Sequence, residues 1–273
     1  MASRINTVLI IGATAGIGEA FARRFHAMGK TVIAAGRNQD KLDTMTKELS
    51  GLRTCQFDIS DLGALLAKVQ SILAEFPSFD TVIITAGIQL HFSYIDPASV
   101  TPEQINNEIT TNLTAPALLV RLFLPHLLRL AREGAKTSLF VMSSSIGYVP
   151  LGFYPTYCAS KAGIAALMRA VRQQLAFAPD ADNLRVVEVV PPYVDTGLDK
   201  AHRETTIALQ GGPEKAFPAM KLDEFVDKFF QALEKPGPDG DLMKEIGVGF
   251  GETGVNVWRD SFGKVYEQMH IST

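Results

Sequence analysis

Residues 7–18 read TVLIIGATAGIG, a short β-branched apolar run followed by three glycines. The apolar run predicts a buried strand, and the glycines predict a tight turn into a helix. In such a unit Gly12 allows the turn, Gly16 lets the backbone approach a pyrophosphate, and Gly18 lets the helix pack closely on the strand. Free N–H groups at the start of the helix then face the anion. The segment therefore predicts a dinucleotide-binding turn in the first βα unit.

The same alternation of short apolar runs and longer segments of helical period continues along the chain. Several strands are apolar on both faces, which is typical of central parallel strands covered by helices on both sides. The pattern predicts an α/β fold with a doubly wound parallel sheet of about seven strands. The predicted strands are 7–11, 31–35, 53–57, 81–85, 138–143, 184–190 and 244–248. The predicted helices are 16–28, 39–49, 61–76, 102–131, 155–178 and 221–233.

No repeat, low-complexity tract or linker divides the chain, so residues 1–273 are predicted to form one domain. Residues 196–217 are the irregular part. A loop of this length in a compact domain is typical of a lid or of a disordered segment, and here it predicts a lid over a substrate site. Segments 117–130 and 162–178 are apolar almost all round, which predicts burial on a second side. A homodimer or homotetramer would supply that cover.

Charge and cysteine content exclude several functional classes. The chain has 273 residues and 26 Lys+Arg against 29 Asp+Glu, a net charge of −3. Without a basic run, neither nucleic acid nor an anionic membrane is expected as a partner. The cysteines Cys55 and Cys158 are too few for a disulfide scaffold or a Cys-based zinc site, and the histidines lack ligand spacing, so no metal is predicted. Without a signal-peptide core or spanning segment, a cytoplasmic location is expected.

The end of the second predicted strand, Ala35-Gly36-Arg37-Asn38, bears on the choice of cofactor. An acid about 20 residues after the glycine turn holds a ribose hydroxyl of NAD, whereas an arginine accommodates the 2′-phosphate of NADP. Gly36 stands where the acid would be, and Arg37 offers a forked donor suited to phosphate. These residues favour NADP(H), with NAD(H) the alternative if Arg37 is only a solvated side chain.

Tyr157 and Lys161 are four residues apart, so on a helix they lie on one face, one turn apart. Such a pair alone is weak evidence. Its meaning comes from the motifs that accompany it in order: the glycine turn, Thr85-Ala86-Gly87 after the fourth strand, Asn112 in a long helix, and Ser143-Ser144-Ser145 after the fifth strand.

Taken together, these residues resemble the short-chain dehydrogenase/reductase family, over about residues 5–196. The family's active-site serine lies thirteen residues before the tyrosine, which selects Ser144. Gly12, Gly16, Ile17 and Gly18 match the glycine motif, and Asp58 matches the aspartate at the adenine ring. The sequence departs from the family pattern at Ile11, Ala15, Ile84-Thr85 and Pro192, but no proton donor is lost.

The resemblance implies a Rossmann-type fold and an oxidoreductase in which Tyr157 is the general acid for reduction and the general base for oxidation. Lys161, together with an oxidised nicotinamide, would lower the pKa of the phenol, and it would also hold the nicotinamide ribose hydroxyls. Ser144 would bind the substrate oxygen, and Asn112 would position a water that passes protons through Lys161. The implied cofactor contacts are Gly12, Thr14, Gly16, Ile17, Gly18, Arg37, Asn38, Asp58, Ile59, Ala86, Gly87, Asn112, Tyr157, Lys161, Pro191, Val194 and Thr196.

The substrate is expected above the carboxyl edge of the sheet. Aromatic residues in the segments predicted there favour an apolar or aromatic ketone or aldehyde, and His91 is a further candidate; the aromatic residues are Tyr148, Phe153, Tyr154 and Tyr193. The sequence thus predicts an NADP(H)-dependent carbonyl reductase. NAD-dependent oxidation of a secondary alcohol, or a dinucleotide-binding sensor or scaffold without chemistry, are the alternatives.

Overall fold

The computed structural model describes residues 2–178 and 181–268. Seven parallel strands form one sheet in the order β3-β2-β1-β4-β5-β6-β7. The strand order reverses between β1 and β4, and at such a point a crevice opens at the carboxyl ends of the strands. The prediction of a seven-stranded doubly wound sheet is confirmed. The strands are β1 Thr7–Ile11, β2 Thr31–Gly36, β3 Arg53–Gln56, β4 Thr81–Ile84, β5 Thr137–Met142, β6 Leu184–Val190 and β7 Glu245–Gly247.

Ten α-helices are present in the described part of the chain. They are α1 Gly16–Ala27, α2 Gln39–Glu48, α3 Leu65–Glu75, α4 Pro102–Ile109, α5 Ala115–Arg132, α6 Pro155–Ala176, α7 Arg203–Leu209, α8 Leu222–Leu233, α9 Phe250–Trp258 and α10 Lys264–Gln268. The long helix predicted over 102–131 is a continuous run of α4, a π-helical turn over Thr110–Thr114, and α5. Such π turns occur often at functional sites, and this one contains Asn112.

The sheet is buried on both faces, as the apolar strands predict. On β1, Val8 and Ile10 pack against α1 and α8, while Leu9 and Ile11 pack into the core on the opposite face. Stacked aromatic rings fill the layer that contains α1 and α8, where the Phe21 and Phe229 ring centroids lie 4.4 Å apart. The rigid sheet and its two helical layers therefore hold the carboxyl ends of the strands in place.

Within the described residues, one helical run, Pro102–Arg132, is long and apolar enough to cross a membrane. Its apolar side chains Leu119, Phe123 and Leu127 are buried in the core, whereas Arg121 and Arg129 are exposed. The run thus has the surroundings of a core helix.

Besides the π turn and shifts of one or two residues at the ends of elements, the structure departs from the predicted elements in three places. The segment 196–217, expected to be irregular, contains helix α7. The third helix begins at Leu65 rather than at residue 61, because the Asp61 carboxylate accepts a hydrogen bond from the Ala64 amide in a turn (3.1 Å). Helices α9 and α10 were not predicted; α9 starts directly after Gly249, whose φ of +55° reverses the chain.

Candidate active site

A cavity of about 1260 Å³ lies at the carboxyl ends of the central strands. The turn between β1 and α1 forms one wall, and the Gly12 φ of +99° shows why glycine is needed there. A Cβ on Gly12 would also lie 2.6 Å from the Ala86 amide nitrogen, so the turn and the end of β4 pack backbone to backbone. The structure brings these predicted cofactor residues to the cavity wall: Gly12, Thr14, Gly16, Ile17, Gly18, Arg37, Asp58, Ile59, Ala86, Gly87, Tyr157, Lys161, Pro191, Val194 and Thr196.

Two predicted cofactor residues, Asn38 and Asn112, lie outside that wall. The Asn38 side chain caps α2, where its Oδ1 accepts a hydrogen bond from the Lys41 amide (3.0 Å). The side-chain oxygen of Asn38 is therefore already engaged in the cap of α2. Arg37 beside it is exposed and makes no ion pair with any residue in the described ranges, so its guanidinium remains available at the cavity.

Helix α6 positions Tyr157 and Lys161 one turn apart on the buried wall of the cavity. The Lys161 Nζ lies 5.5 Å from the centroid of the Tyr157 ring and donates a hydrogen bond to the Met142 carbonyl at the end of β5 (3.0 Å). Both side chains are almost inaccessible to solvent, with 7% of Tyr157 and 3% of Lys161 exposed. The pair is therefore rigidly held between α6 and β5.

The serine triplet after β5 divides its side chains between two environments. The Ser143 hydroxyl donates a hydrogen bond to the Glu188 carboxylate (2.6 Å), away from the tyrosine. Ser144 lines the cavity and hydrogen-bonds with Tyr157. The structure thus places Ser144, and not Ser143, beside the phenol.

Burial dominates the ionisation of this group. It raises the pKa of Tyr157, an effect that the hydrogen bond with Ser144 opposes and the charge of Glu108 reinforces. Burial also lowers the pKa of Lys161 to about 8, against the charge of Glu108, which raises it. Removing water favours the neutral form of both groups. The prediction that Lys161, together with an oxidised nicotinamide, lowers the Tyr157 pKa stays a prediction.

Asn112 is fully buried in the π turn and holds the loop that follows β4. Its Oδ1 accepts a hydrogen bond from the Ile88 amide (2.9 Å), and its Nδ2 donates one to the Ile88 carbonyl (2.8 Å). A Cβ on Gly87 would lie 3.1 Å from the Asn112 Oδ1 and 3.5 Å from the Lys161 Nζ. Asn112 and Lys161 therefore both border the space beside Gly87, although Asn112 does not reach the cavity.

Sequence reasoning missed Glu108, a buried carboxyl group in this region. Its Oε1 accepts a hydrogen bond from the Leu90 amide (2.7 Å), and burial raises its pKa to about 7. No motif marks it. The sequence offered one signal, an acidic residue four positions before Asn112 in the same predicted helix. In the structure this helix packs on α6.

The end of the cavity where the sequence predicts the substrate lies under residues 196–217. Helix α7 is tied down by Arg203, whose Nη2 lies 2.7 Å from carboxylate oxygens of both Asp195 and Asp199. The Tyr154 hydroxyl donates to the Thr206 hydroxyl across the cavity (3.0 Å). The lining here is mostly apolar and includes Leu151, Phe153, Tyr154, Tyr193, Leu198, Ile207 and Phe217.

Two residues expected at the substrate site are placed elsewhere. Tyr148 does not line the cavity, because its hydroxyl turns to the fully buried Glu188 carboxylate (3.1 Å). His91 also lies outside the wall and stacks on His202 with ring centroids 5.8 Å apart. Phe153, Tyr154 and Tyr193 do line it.

Comparison with known proteins agrees with this geometry. A model of the family described as short chain dehydrogenase matches residues 6–207. The uncharacterized oxidoreductase DltE of Bacillus subtilis (strain 168) is 32% identical over 232 residues, covering 84% of this chain and 85% of that protein. The NADP-dependent 3-hydroxy acid dehydrogenase YdfG of Shigella flexneri is 31% identical over 188 residues, covering 68% of this chain and 72% of that protein.

A solved short-chain dehydrogenase from Sphingobium yanoikuyae, in complex with NADPH, has the same fold. It superposes with a TM-score of 0.73 at 24% identity, over 97% of this chain and 95% of that one. The chain therefore belongs to the short-chain dehydrogenase/reductase family of oxidoreductases, and the resemblance carried by its motifs is confirmed.

Proposed function

We propose that the protein reduces a ketone or aldehyde to an alcohol with NADPH. The observation that carries this proposal is the position of Tyr157, Ser144 and Lys161 on the wall of the same cavity as the glycine turn. A proton donor and a dinucleotide-binding turn thus share one cleft. Within the described ranges, no group of three or more acidic, His or Cys side chains is placed to hold a metal ion.

The nucleotide end of the cavity fits a 2′-phosphate better than a free ribose hydroxyl. A Cβ on Gly36 would lie 2.6 Å from the Thr14 methyl carbon, so an acid at this position would have to displace the Thr14 side chain. Arg37 is exposed at the cavity without a carboxylate partner in the described chain. The Arg37 guanidinium is unpaired within the described residues, and the neighbouring position 36 holds glycine instead of the acid that would bind a ribose hydroxyl. Both features favour NADP(H). The relative YdfG is named as NADP-dependent, and the Sphingobium structure is named as a complex with NADPH.

Reduction suits the ionisation of the site. The bound nicotinamide supplies the hydride. Burial raises the pKa of Tyr157, so its phenol is protonated at neutral pH and can give its proton to the developing alkoxide. The Ser144 hydroxyl beside it would donate a hydrogen bond to the same substrate oxygen. With a pKa of about 8, Lys161 is mostly an ammonium group at pH 7 and would hold the ribose hydroxyls.

The substrate proposed is an apolar or aromatic carbonyl compound. Leu151, Phe153 and Ile207 line the substrate end, and Arg203 is engaged by two carboxylates. An apolar chain or ring would gain free energy from burial there. A phosphorylated substrate would find no unpaired cation at this end of the described wall.

A panel of carbonyl compounds assayed with NADPH and with NADH tests the proposal. We expect turnover of aryl and alkyl ketones or aldehydes, at least tenfold faster with NADPH than with NADH at equal low concentration. If only highly polar carbonyls react, the substrate proposal is wrong. If NADPH binds tightly and no carbonyl is reduced, the protein is a dinucleotide sensor instead.

A further inference from the structure

Glu108 and Asn112 lie one turn apart on the run from α4 into the π turn, and together they hold the loop after β4. Glu108 is fully buried, and its Oε1 accepts the Leu90 amide (2.7 Å). Asn112 binds both the amide and the carbonyl of Ile88. Two neighbouring side chains thus fix the backbone that borders the Lys161 ammonium group.

The second oxygen of this carboxyl group is the unusual feature. The Glu108 Oε2 is buried and accepts no hydrogen bond from any part of the chain that the structure describes. Burying a carboxylate oxygen without a hydrogen-bond partner costs free energy. We therefore expect the negative charge of Glu108 to interact with a group of opposite charge. Lys161 is the complementary group, since its ammonium has three donors and the described residues use one, in the bond to Met142.

The electrostatics of the region support an interaction between the charges of Glu108 and Lys161. Glu108 is the one ionisable group of the described chain that acts on Lys161, and Lys161 is the one that acts on Glu108. The other ionisable side chains facing Glu108 are Tyr157 and Cys158 on α6, whose pKa values burial raises, so both are neutral near pH 7. A carboxylate with a pKa of about 7 is ionised over the pH range in which Lys161 would otherwise lose its proton.

We propose that Glu108 is a positioning residue of the active site, which fixes the loop after β4 through Leu90 and keeps Lys161 protonated through its own negative charge. The role depends on the proposed function only in that the ammonium group is needed for turnover. The charge matters above pH 7, where Glu108 is ionised and Lys161 begins to titrate. Below pH 7, Lys161 is protonated with or without it.

The variant Glu108→Gln separates the charge from the contact. The amide oxygen can still accept the Leu90 hydrogen bond, but the negative charge is lost. We expect the Lys161 pKa to fall by about one unit, at the lower end of the shift that a neighbouring opposite charge produces. The alkaline limb of the kcat/KM profile should move down equally, giving an activity near wild type at pH 6.5 and about tenfold lower at pH 9.

Titration of Lys161 by NMR tests the proposal without any turnover. Lysine labelled with ¹³C at Cε reports the pKa directly, and the Lys161→Arg variant identifies the signal. An unchanged Lys161 pKa in Glu108→Gln would overturn the proposal. If instead the Lys161 pKa falls as expected but no carbonyl is reduced by the wild type, only the proposed function fails.

Two further variants keep the result interpretable. Glu108→Asp retains the charge on a shorter side chain, and we expect its Lys161 pKa to stay within about half a unit of wild type. Glu103→Gln removes a charge from the exposed first turn of the same helix and should leave the Lys161 pKa unchanged. If Glu108→Asp lowers the Lys161 pKa as much as Glu108→Gln does, the residue acts through packing alone and the electrostatic role is wrong.

Discussion

At the scale of single residues, the site depends on side chains whose ionisation is set by burial. Tyr157 and Lys161 are both driven toward their neutral forms, and Glu108 opposes this for Lys161. A phenol with a raised pKa is a weaker acid, but it keeps its proton at neutral pH. The proton is therefore present for the donation step that the proposed carbonyl reduction needs.

Cofactor choice is also a single-residue property, and Arg37 tests it. Replacing Arg37 with Ala should weaken NADPH binding by at least tenfold, because a charge-assisted hydrogen bond to phosphate is worth about 1.5 to 3 kcal/mol. NADH binding should change less than twofold, since NADH has no 2′-phosphate. Fluorescence titration with both cofactors measures this. Equal losses for NADPH and NADH would refute the assignment of Arg37.

The motif residues could be predicted from sequence because each motif is read along one segment of chain. Gly12, Tyr157 and Lys161 belong to such segments. Glu108 could not be found this way, because its importance comes from its contact with Leu90 and its charge beside Lys161. The position of Tyr148 also depends on contacts between distant segments. Its aromatic ring predicted a place in the cavity wall, but its hydroxyl donates a hydrogen bond to the buried Glu188 carboxylate.

At the scale of elements, the alternation of apolar strands and helices predicted the sheet almost to the residue. Strands β1 and β6 have their predicted bounds. Segment 196–217 was harder to predict because α7 has only seven residues and is held by ion pairs that involve residues before it. Short helices gain little from their own hydrogen bonds, so tertiary contacts decide whether they form.

Arg203 tests whether α7 acts as a lid element. In Arg203→Ala the ion pairs with Asp195 and Asp199 are lost, and the helix should dock less firmly over the substrate end. We expect KM for the carbonyl substrate to rise several-fold, with kcat changed by less than about threefold, in steady-state assays. The exposed neighbour Glu204→Gln is the control and should leave both constants unchanged. An unchanged KM in Arg203→Ala would show that the ion pairs do not hold the lid.

At the scale of the whole molecule, the sheet and its two helical layers place the proposed cofactor and substrate sites in one cavity. Helix α6 carries the proposed catalytic pair, Tyr157 and Lys161, on its buried side. It exposes a row of small side chains on the other side, Ala159, Ala162, Ala166 and Ala170. Small residues at helical spacing allow two helices to approach closely. The predicted homo-oligomer would bury this row.

Replacing Ala166 with Glu tests the predicted oligomer. A charge in the centre of a packed helix–helix interface should shift the protein to monomers, because burying it without a partner is costly. Light scattering coupled to size-exclusion chromatography gives the mass directly. The exposed Glu133→Gln variant, at the end of α5, serves as the control. A wild-type protein that is already monomeric would contradict the prediction.

The most direct test of the central claim compares wild type with Tyr157→Phe, using NADPH and a carbonyl substrate found in the panel. The account predicts that the variant loses about 10²- to 10⁴-fold in turnover, the range that a general acid contributes. Its affinity for NADPH should stay within about twofold of wild type, since the ring and its packing remain. Turnover by Tyr157→Phe at the wild-type rate would contradict the account.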